Sequence, residues 1–223
     1  ALECGVPLVV DIDDDEAGME ASLGGVFAEA LERLLQGVAE LASVLTVASP
    51  IDAEAVAARV SSPVRVVPNV VAVPTAPAPG RPGRALYVAN FDYGPNRVSA
   101  GWLNSAVLSR LVGVDELAVV GARSEELVLR KPAVAHGAVP SLTPYYADAS
   151  VVLCPVLAGS GTSIKVIEAM AHGRPVVTTT VGARGLGLVS GEHAIVTDDP
   201  VEFAAAASHL ATSPAEAAAL GGR

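Results

Sequence analysis

The sequence predicts an α/β fold with two domains, each formed around a doubly wound parallel sheet. Apolar runs of strand length alternate with segments of helical spacing along most of the 223 residues. Hydrophobic residues make up 51% of the chain and aromatic residues only 4%. The core must therefore be formed from Val, Ala and Leu, which is typical of strands covered by helices on both faces.

The first predicted domain covers residues 1–74. Its opening apolar run ends in carboxylates, as parallel strands do where their carboxyl ends border a site. Asp52 is expected to cap a short helix. Because the chain opens so close to a buried strand, we expect this domain to be truncated. The predicted strands are residues 6–13, 44–48 and 64–67, and the predicted helices are residues 26–42 and 52–60.

A linker is predicted at residues 75–84, since the stretch PTAPAPGRPG is rich in Pro and Gly and lacks an apolar period. The alternation of strands and helices then restarts and defines a second domain at residues 85–223. Its predicted strands are residues 85–89, 116–120, 151–154, 175–179 and 194–196, and its predicted helices are residues 99–111, 142–147, 162–171 and 201–210.

Charge and composition disfavour several classes of protein. The formal net charge is −10 and the sequence pI is about 4.8, so no basic face for nucleic acid is expected. No apolar run reaches the roughly 18 residues of a membrane span. The first residues carry Glu3 and no basic group, unlike a signal peptide. Cys4 and Cys154 are interpreted as reduced packing residues, and a cytoplasmic location is expected.

The loop before the predicted helix at residues 162–171 carries the clearest chemical signal. It contains Gly159, Ser160, Gly161 and Thr162. Such a loop exposes backbone N–H groups at the positive end of a helix, and glycine lets a ligand approach the backbone closely. The pattern therefore favours binding of a phosphate or pyrophosphate.

Glu168 lies on the apolar side of that helix. A carboxylate in this position is costly unless it is hydrogen-bonded, and the two hydroxyls of a ribose would satisfy it. The alternative is that Glu168 pairs with Lys165 three residues earlier and solvates the helix. The sequence leaves both interpretations open.

The run GSGTSIKVIEAMAHGRPVVTT, followed by GARGL, resembles the donor-site signature of retaining GT-B glycosyltransferases of family 4, also called group 1. Further segments resemble the same family in the same order. They are VVPNV at residues 66–70, RALYVANFDYGPN at 84–96, LAVVG at 117–121 and HGAVPSLTPYY at 136–146.

The resemblance implies a GT-B fold of two Rossmann-like domains and a nucleoside diphosphate sugar as donor. It places the ribose on Glu168 and the diphosphate on the loop Gly159–Thr162, with Lys165 as a charge partner. It places Asn90, His136 and Gly182 beside the donor. It implies transfer with retention to a glycan, a lipid-linked or a small-molecule acceptor, without cofactor or metal. Peripheral membrane association through a preceding N-terminal region is left open.

Three positions depart from the family pattern. Ser160 stands where many members have a second glutamate, Val70 replaces the glycine of the hinge region, and Asn90 begins a loop that lacks the usual Arg and Lys. No catalytic residue is therefore assigned.

The acidic run DIDDDE at residues 11–16 offers an alternative metal site, since Mg²⁺ and Mn²⁺ prefer oxygen ligands. We expect a loop of solvated carboxylates on the acceptor side instead. Two other functions stay open, a hydrolysing nucleotide-sugar epimerase of the same architecture and a non-catalytic nucleotide-sugar-binding domain. A dinucleotide oxidoreductase is disfavoured, because no G-x-G-x-x-G motif follows a first strand.

Overall fold

A computed structural model describes residues 6–13, 15–22, 24–74 and 80–222. The chain forms two compact units, which divide between Val70 and Val71; the short segments Gly159–Thr162 and Arg184–Leu186 belong to the first unit. Each unit contains a parallel sheet with helices, so the predicted fold class is confirmed. Cys4 and much of the predicted linker lie outside the described residues, and the domain bounds stay a prediction.

The first unit has a three-stranded parallel sheet in the order β1-β2-β3. Its core consists of Leu35 and Ala39 of a long amphipathic helix, Leu45 and Val47 of the central strand, and Val56. The elements are β1 (Val9–Asp13), α1 (Glu16–Ser22), α2 (Ala28–Leu41), β2 (Val44–Val47), α3 (Pro50–Ala57) and β3 (Val64–Val66).

Ser49, rather than Asp52, caps helix α3. The helix begins at Pro50, a residue suited to the first helical position because it has no N–H to satisfy. The Ser49 hydroxyl oxygen accepts from the Asp52 backbone N–H at 3.1 Å and donates to the Asp52 carboxylate. The prediction for Asp52 is wrong because Pro50 shifts the helix start by two residues and leaves Asp52 fully buried in the first turn.

The acidic run is not a solvated loop throughout, which corrects the expectation above. Asp15 precedes α1 and accepts from the Gly18 backbone N–H at 2.9 Å, so it caps that helix. It is almost fully buried and forms an ion pair with Arg59. Asp14 lies outside the described residues. Among the residues that are described, no group of three or more His, Cys, Asp or Glu side chains is placed to hold a metal ion.

The second unit has a six-stranded parallel sheet in the order β6-β5-β4-β7-β8-β9. Its core includes the fully buried Tyr87, Phe91, Leu153 and Phe203. The strands are β4 (Arg84–Val88), β5 (Glu116–Val120), β6 (Ala133–Gly137), β7 (Val151–Cys154), β8 (Val176–Thr178) and β9 (Ile195–Val196). The helices are α4 (Gly94–Trp102), α5 (Thr143–Asp148), α6 (Ile164–Ala171), α7 (Thr180–Ala183), α8 (Pro200–Thr212) and α9 (Pro214–Gly221).

Helix α4 continues into a π-helical turn (Leu103–Val107) and a 3-10 turn (Leu108–Arg110), and a second 3-10 turn covers Ser124–Glu126. Helix α8 begins at Pro200 and is capped by the Asp199 carboxylate, which accepts from two backbone N–H groups. Within the described ranges, no helix is long and apolar enough to cross a membrane.

Candidate functional site

The strand order of the second unit places a candidate site at the carboxyl ends of β4 and β7. The chain proceeds from β4 outward through β5 and β6, then returns to the other side of β4 with β7, β8 and β9. Ligands of open α/β sheets bind where the strand order reverses in this way, outside the carboxyl ends of the two central strands. The loops that follow β4 and β7 contain most of the residues singled out in the sequence.

The loop after β4 is held in shape by Asn90. The Asn90 side-chain oxygen accepts from the Asp92 backbone N–H at 3.0 Å, and its backbone carbonyl accepts from the Asn96 side chain at 2.8 Å. Gly121, at the end of β5, lies against this loop. A Cβ on Gly121 would lie 1.8 Å from the Ala89 carbonyl oxygen, so this close approach requires glycine.

Lys165, in the first turn of α6, is joined to the same loop. Its ammonium nitrogen donates to the Asn96 side-chain oxygen at 2.8 Å. Burial lowers the pKa of Lys165, an effect that the nearby Cys154 opposes. The side chain of Asn96 therefore connects the loop after β4 with the helix after β7.

Glu168, one turn further along α6, accepts from the Tyr146 hydroxyl at 3.0 Å, through its Oε2 atom. Tyr146 is fully buried, and its ring is stacked on that of His172, with centroids 4.3 Å apart and an interplanar angle of 12°. Burial raises the pKa of Tyr146, with a further contribution from Glu168. Glu168 and Lys165 thus bond to Tyr146 and Asn96 instead of to each other.

The N-terminus of α6 carries an unsatisfied hydroxyl. Ser163 occupies the N-cap position, yet its side chain makes no capping hydrogen bond. Its Oγ atom is buried, and no partner for it is found among the described residues. A buried hydroxyl at a helix N-terminus, beside free backbone N–H groups, is suited to an anionic ligand.

The glycine-rich loop Gly159–Thr162 belongs to the first unit. Gly159 and Gly161 have φ values of 145° and 68°, a backbone conformation that favours glycine. The Thr162 hydroxyl accepts from the Asn69 side-chain amide at 3.0 Å, and the Ser160 hydroxyl lies 3.8 Å from the sulfur of Met19.

A partly buried ion pair lies in the same unit. Arg184, which follows α7 along the chain, contacts the Asp52 carboxylate at 2.8 Å. The next residue, Gly185, has a φ of 74°, and a Cβ there would lie 2.7 Å from Cβ of Ser49 and 3.1 Å from Cγ2 of Thr162. Arg184 and Gly185 are thus packed against the first turn of α3 and against Thr162.

Gly182 and His136 make contacts other than those around Glu168 and Lys165. Gly182 is buried in α7, where a Cβ would lie 2.2 Å from the Thr178 hydroxyl, so the residue serves close packing. His136 approaches the Tyr145 hydroxyl at 3.3 Å and the Glu116 carboxylate at 3.6 Å. His136 also lines a cavity of about 250 Å³, together with Arg84, Glu116, Tyr145 and Asp148. A donor-binding role for either residue stays a prediction.

A family model described as "Glycosyl transferases group 1" matches residues 82–213, more than half of the chain. The chain belongs to the group 1 glycosyl transferases. The resemblance of the sequence motifs to the group 1 family is confirmed, and the matched range contains the whole hydrogen-bonded site of the second unit. No curated protein matches the sequence at a significant level.

Solved structures with the GT-B fold are similar to this chain. TarM of S. aureus is 13% identical, with a TM-score of 0.77 over 97% of this chain and 46% of that chain. Sucrose-phosphate synthase from Thermosynechococcus elongatus is 20% identical, with a TM-score of 0.76 over 99% of this chain and 63% of that chain. Anabaena HepE, in complex with UDP and glucose, is 15% identical, with a TM-score of 0.72 over 96% of this chain and 65% of that chain. The chain spans less than two thirds of the length of these proteins.

Two residues of the candidate site were missed in the sequence. Tyr146 ends the segment HGAVPSLTPYY, but nothing local to it shows that its hydroxyl contacts a carboxylate 22 residues later. Ser163 directly follows the glycine-rich loop, and its place before an apolar helix is a typical capping signal. That signal could have identified Ser163; the Tyr146 contact required the tertiary fold.

Proposed function

We propose that this glycosyl transferase binds a nucleoside diphosphate sugar in its second unit, with the nucleoside ribose on Glu168. The proposal rests on the surroundings of the Glu168 carboxylate. It lies on the helix that follows β7, it accepts a hydrogen bond from the Tyr146 hydroxyl, and Lys165 bonds to Asn96 instead of to it. A partly buried carboxylate in such a position gains most from a ligand with two hydroxyl donors.

The diphosphate of the donor would lie at the N-terminus of α6. Ser163 contributes a hydroxyl that has no partner among the described residues, and Lys165 contributes a positive charge whose present partner is the neutral side chain of Asn96. The helix dipole favours negative charge at the same end. These groups would stabilise the leaving diphosphate without a metal ion, and the loop Gly159–Thr162 leads directly into them along the chain.

We further propose that the whole protein transfers the sugar to a glycan, a lipid-linked or a small-molecule acceptor with retention of configuration. Family membership supports glycosyl transfer, and retention rests on the motif resemblance. TarM was crystallised with UDP and alpha-GlcNAc-glycerol, and HepE with UDP and glucose, which supports a uridine nucleotide as the first donor to test. A lipid-linked acceptor would bring the protein to a membrane surface.

A calorimetric panel of UDP, GDP and ADP, with NAD as the comparison, tests the binding step. We expect one nucleoside diphosphate to bind with micromolar affinity and NAD not to bind. Incubation with the matching nucleotide sugar, alone and together with glycan, lipid-linked and small-molecule acceptors, then tests turnover. Release of free sugar without an acceptor would favour the hydrolysing epimerase, and binding without any turnover would favour the non-catalytic domain.

A further inference from the structure

We propose that Tyr146 is a positioning residue that fixes the Glu168 carboxylate for recognition of the ribose 2′- and 3′-hydroxyls. The proposal rests on the proposed function, because it concerns the same nucleotide site. It assigns to a buried tyrosine of α5 a role in discriminating ribonucleotides from deoxyribonucleotides.

The contact between the two side chains joins two separate elements. Tyr146 lies on α5, Glu168 lies on α6, and the Tyr146 hydroxyl donates to Glu168 Oε2 at 3.0 Å. Burial raises the pKa of the Tyr146 phenol, so the hydroxyl stays protonated and remains a donor at every physiological pH. The carboxylate is therefore held through Oε2 by a partner that does not titrate away.

The Tyr146 ring is held by a stacked ring, and the helix that carries it is held by an arginine at its C-terminal end. The His172 ring stacks on it in parallel, 4.3 Å away. The buried Arg174 guanidinium donates to the Ala149 carbonyl oxygen, just after α5, at 3.0 Å, and to the His172 carbonyl oxygen at 3.2 Å. One arginine thus joins the residues just after α5 and α6, the two helices that carry Tyr146 and Glu168.

This arrangement has a consequence for the ligand. With Oε2 held by Tyr146, Oε1 and the remaining lone pair of Oε2 are presented in one fixed orientation. A ribose with adjacent 2′- and 3′-hydroxyls can donate to both, whereas a 2′-deoxyribose can donate only one hydrogen bond. Without the phenol hydroxyl the carboxylate rotates freely, so ordering it on binding costs affinity for the ribonucleotide.

The test is the variant Tyr146→Phe, which keeps the ring and its stack on His172 and removes only the hydroxyl. Tyr145→Phe is the matched control, since its hydroxyl contacts His136 instead. Affinities for UDP and 2′-deoxy-UDP, or for GDP and 2′-deoxy-GDP, are measured by calorimetry. We expect Tyr146→Phe to weaken ribonucleotide binding about tenfold and 2′-deoxynucleotide binding by less than about twofold. The control variant should match the wild type with both.

The outcomes separate the two proposals. A wild-type protein that binds no nucleoside diphosphate overturns the proposed function. If the wild type binds and Tyr146→Phe keeps the full preference for the ribonucleotide, only the role of Tyr146 is overturned. An equal loss of affinity for the ribonucleotide and the 2′-deoxynucleotide has the same consequence. If Tyr146→Phe does not fold, the variant His172→Ala is measured instead, because it removes the ring that stacks on Tyr146. A reduced ribonucleotide preference in that variant supports the proposal, and an unchanged preference overturns it.

Discussion

Individual side chains of the candidate site are paired with neutral partners, and this leaves their charges available. Glu168 bonds to a phenol and Lys165 bonds to an amide, although the two charged groups are only three residues apart on one helix. An ion pair between them would satisfy both charges and would have to be broken when a nucleotide bound. Neutral partners orient the charged groups without cancelling them, so a ligand can interact with both.

We expect His172 to make the stability of the protein depend on pH. Burial lowers the pKa of His172, with Glu168 opposing and Arg174 reinforcing the shift. The unfolded chain, with a histidine pKa of about 6.5, therefore takes up a proton before the folded chain does. Stability that is present above that pH is lost as the pH falls through and below it. We expect His172→Phe, which keeps an aromatic ring against Tyr146, to lose less stability between pH 7.5 and pH 5 than the wild type.

Urea unfolding at the two pH values measures this difference. Equal losses of unfolding free energy in the wild type and in His172→Phe would show that His172 does not titrate differently in the folded chain.

The sequence was sufficient to single out the loop Gly159–Thr162, Lys165 and Glu168, because glycine spacing and a carboxylate on an apolar helix face are local patterns. It was not sufficient for Tyr146, whose partner lies on another helix. Nor did it distinguish pairing of Lys165 with Glu168 from pairing with Asn96, since both are within reach of a flexible lysine and only the fold selects one.

At the level of elements, the junction of β4 and β5 depends on Gly121. We expect Gly121→Ala to destabilise the protein by about 2 kcal/mol or more, because its φ of 137° is unfavourable for alanine and the added Cβ would collide with the Ala89 carbonyl. Gly101→Ala is the control. It lies in α4 with nothing within 4 Å of the added Cβ, so it should stabilise by about 0.5–1 kcal/mol.

Chemical denaturation of both variants provides the comparison. Gly121→Ala at wild-type stability would mean that the approach of β5 to the Asn90 loop is not as close as the structure shows.

The predicted order of strands and helices holds, and the missed elements have identifiable causes. Strand β6 reads AVAHG, which is rich in alanine and has a single valine, so no β-branched run identifies it. Helix α1 was hidden because its first residue, Glu16, ends an acidic run that resembles a solvated loop. Helix α9 reads PAEAAALG, where alanine gives helix propensity but little apolar periodicity.

At the scale of the whole molecule, the second unit contains a complete doubly wound sheet of six strands with its own core. We therefore expect residues 80–223 to fold when expressed alone, because a compact unit with its own buried core is an independent folding unit. Circular dichroism should show a single cooperative thermal transition. A gradual, non-cooperative loss of signal would mean that the first unit is needed for folding.

The central claim is that Glu168 holds the ribose of a nucleoside diphosphate, and calorimetric titration of Glu168→Ala beside the wild type tests it most directly. Loss of two charge-assisted hydrogen bonds predicts at least a tenfold weaker affinity for the nucleoside diphosphate that the wild type binds. The melting temperature should fall as well, because the buried Tyr146 hydroxyl loses its acceptor. An affinity equal to that of the wild type in a folded Glu168→Ala protein would contradict the account.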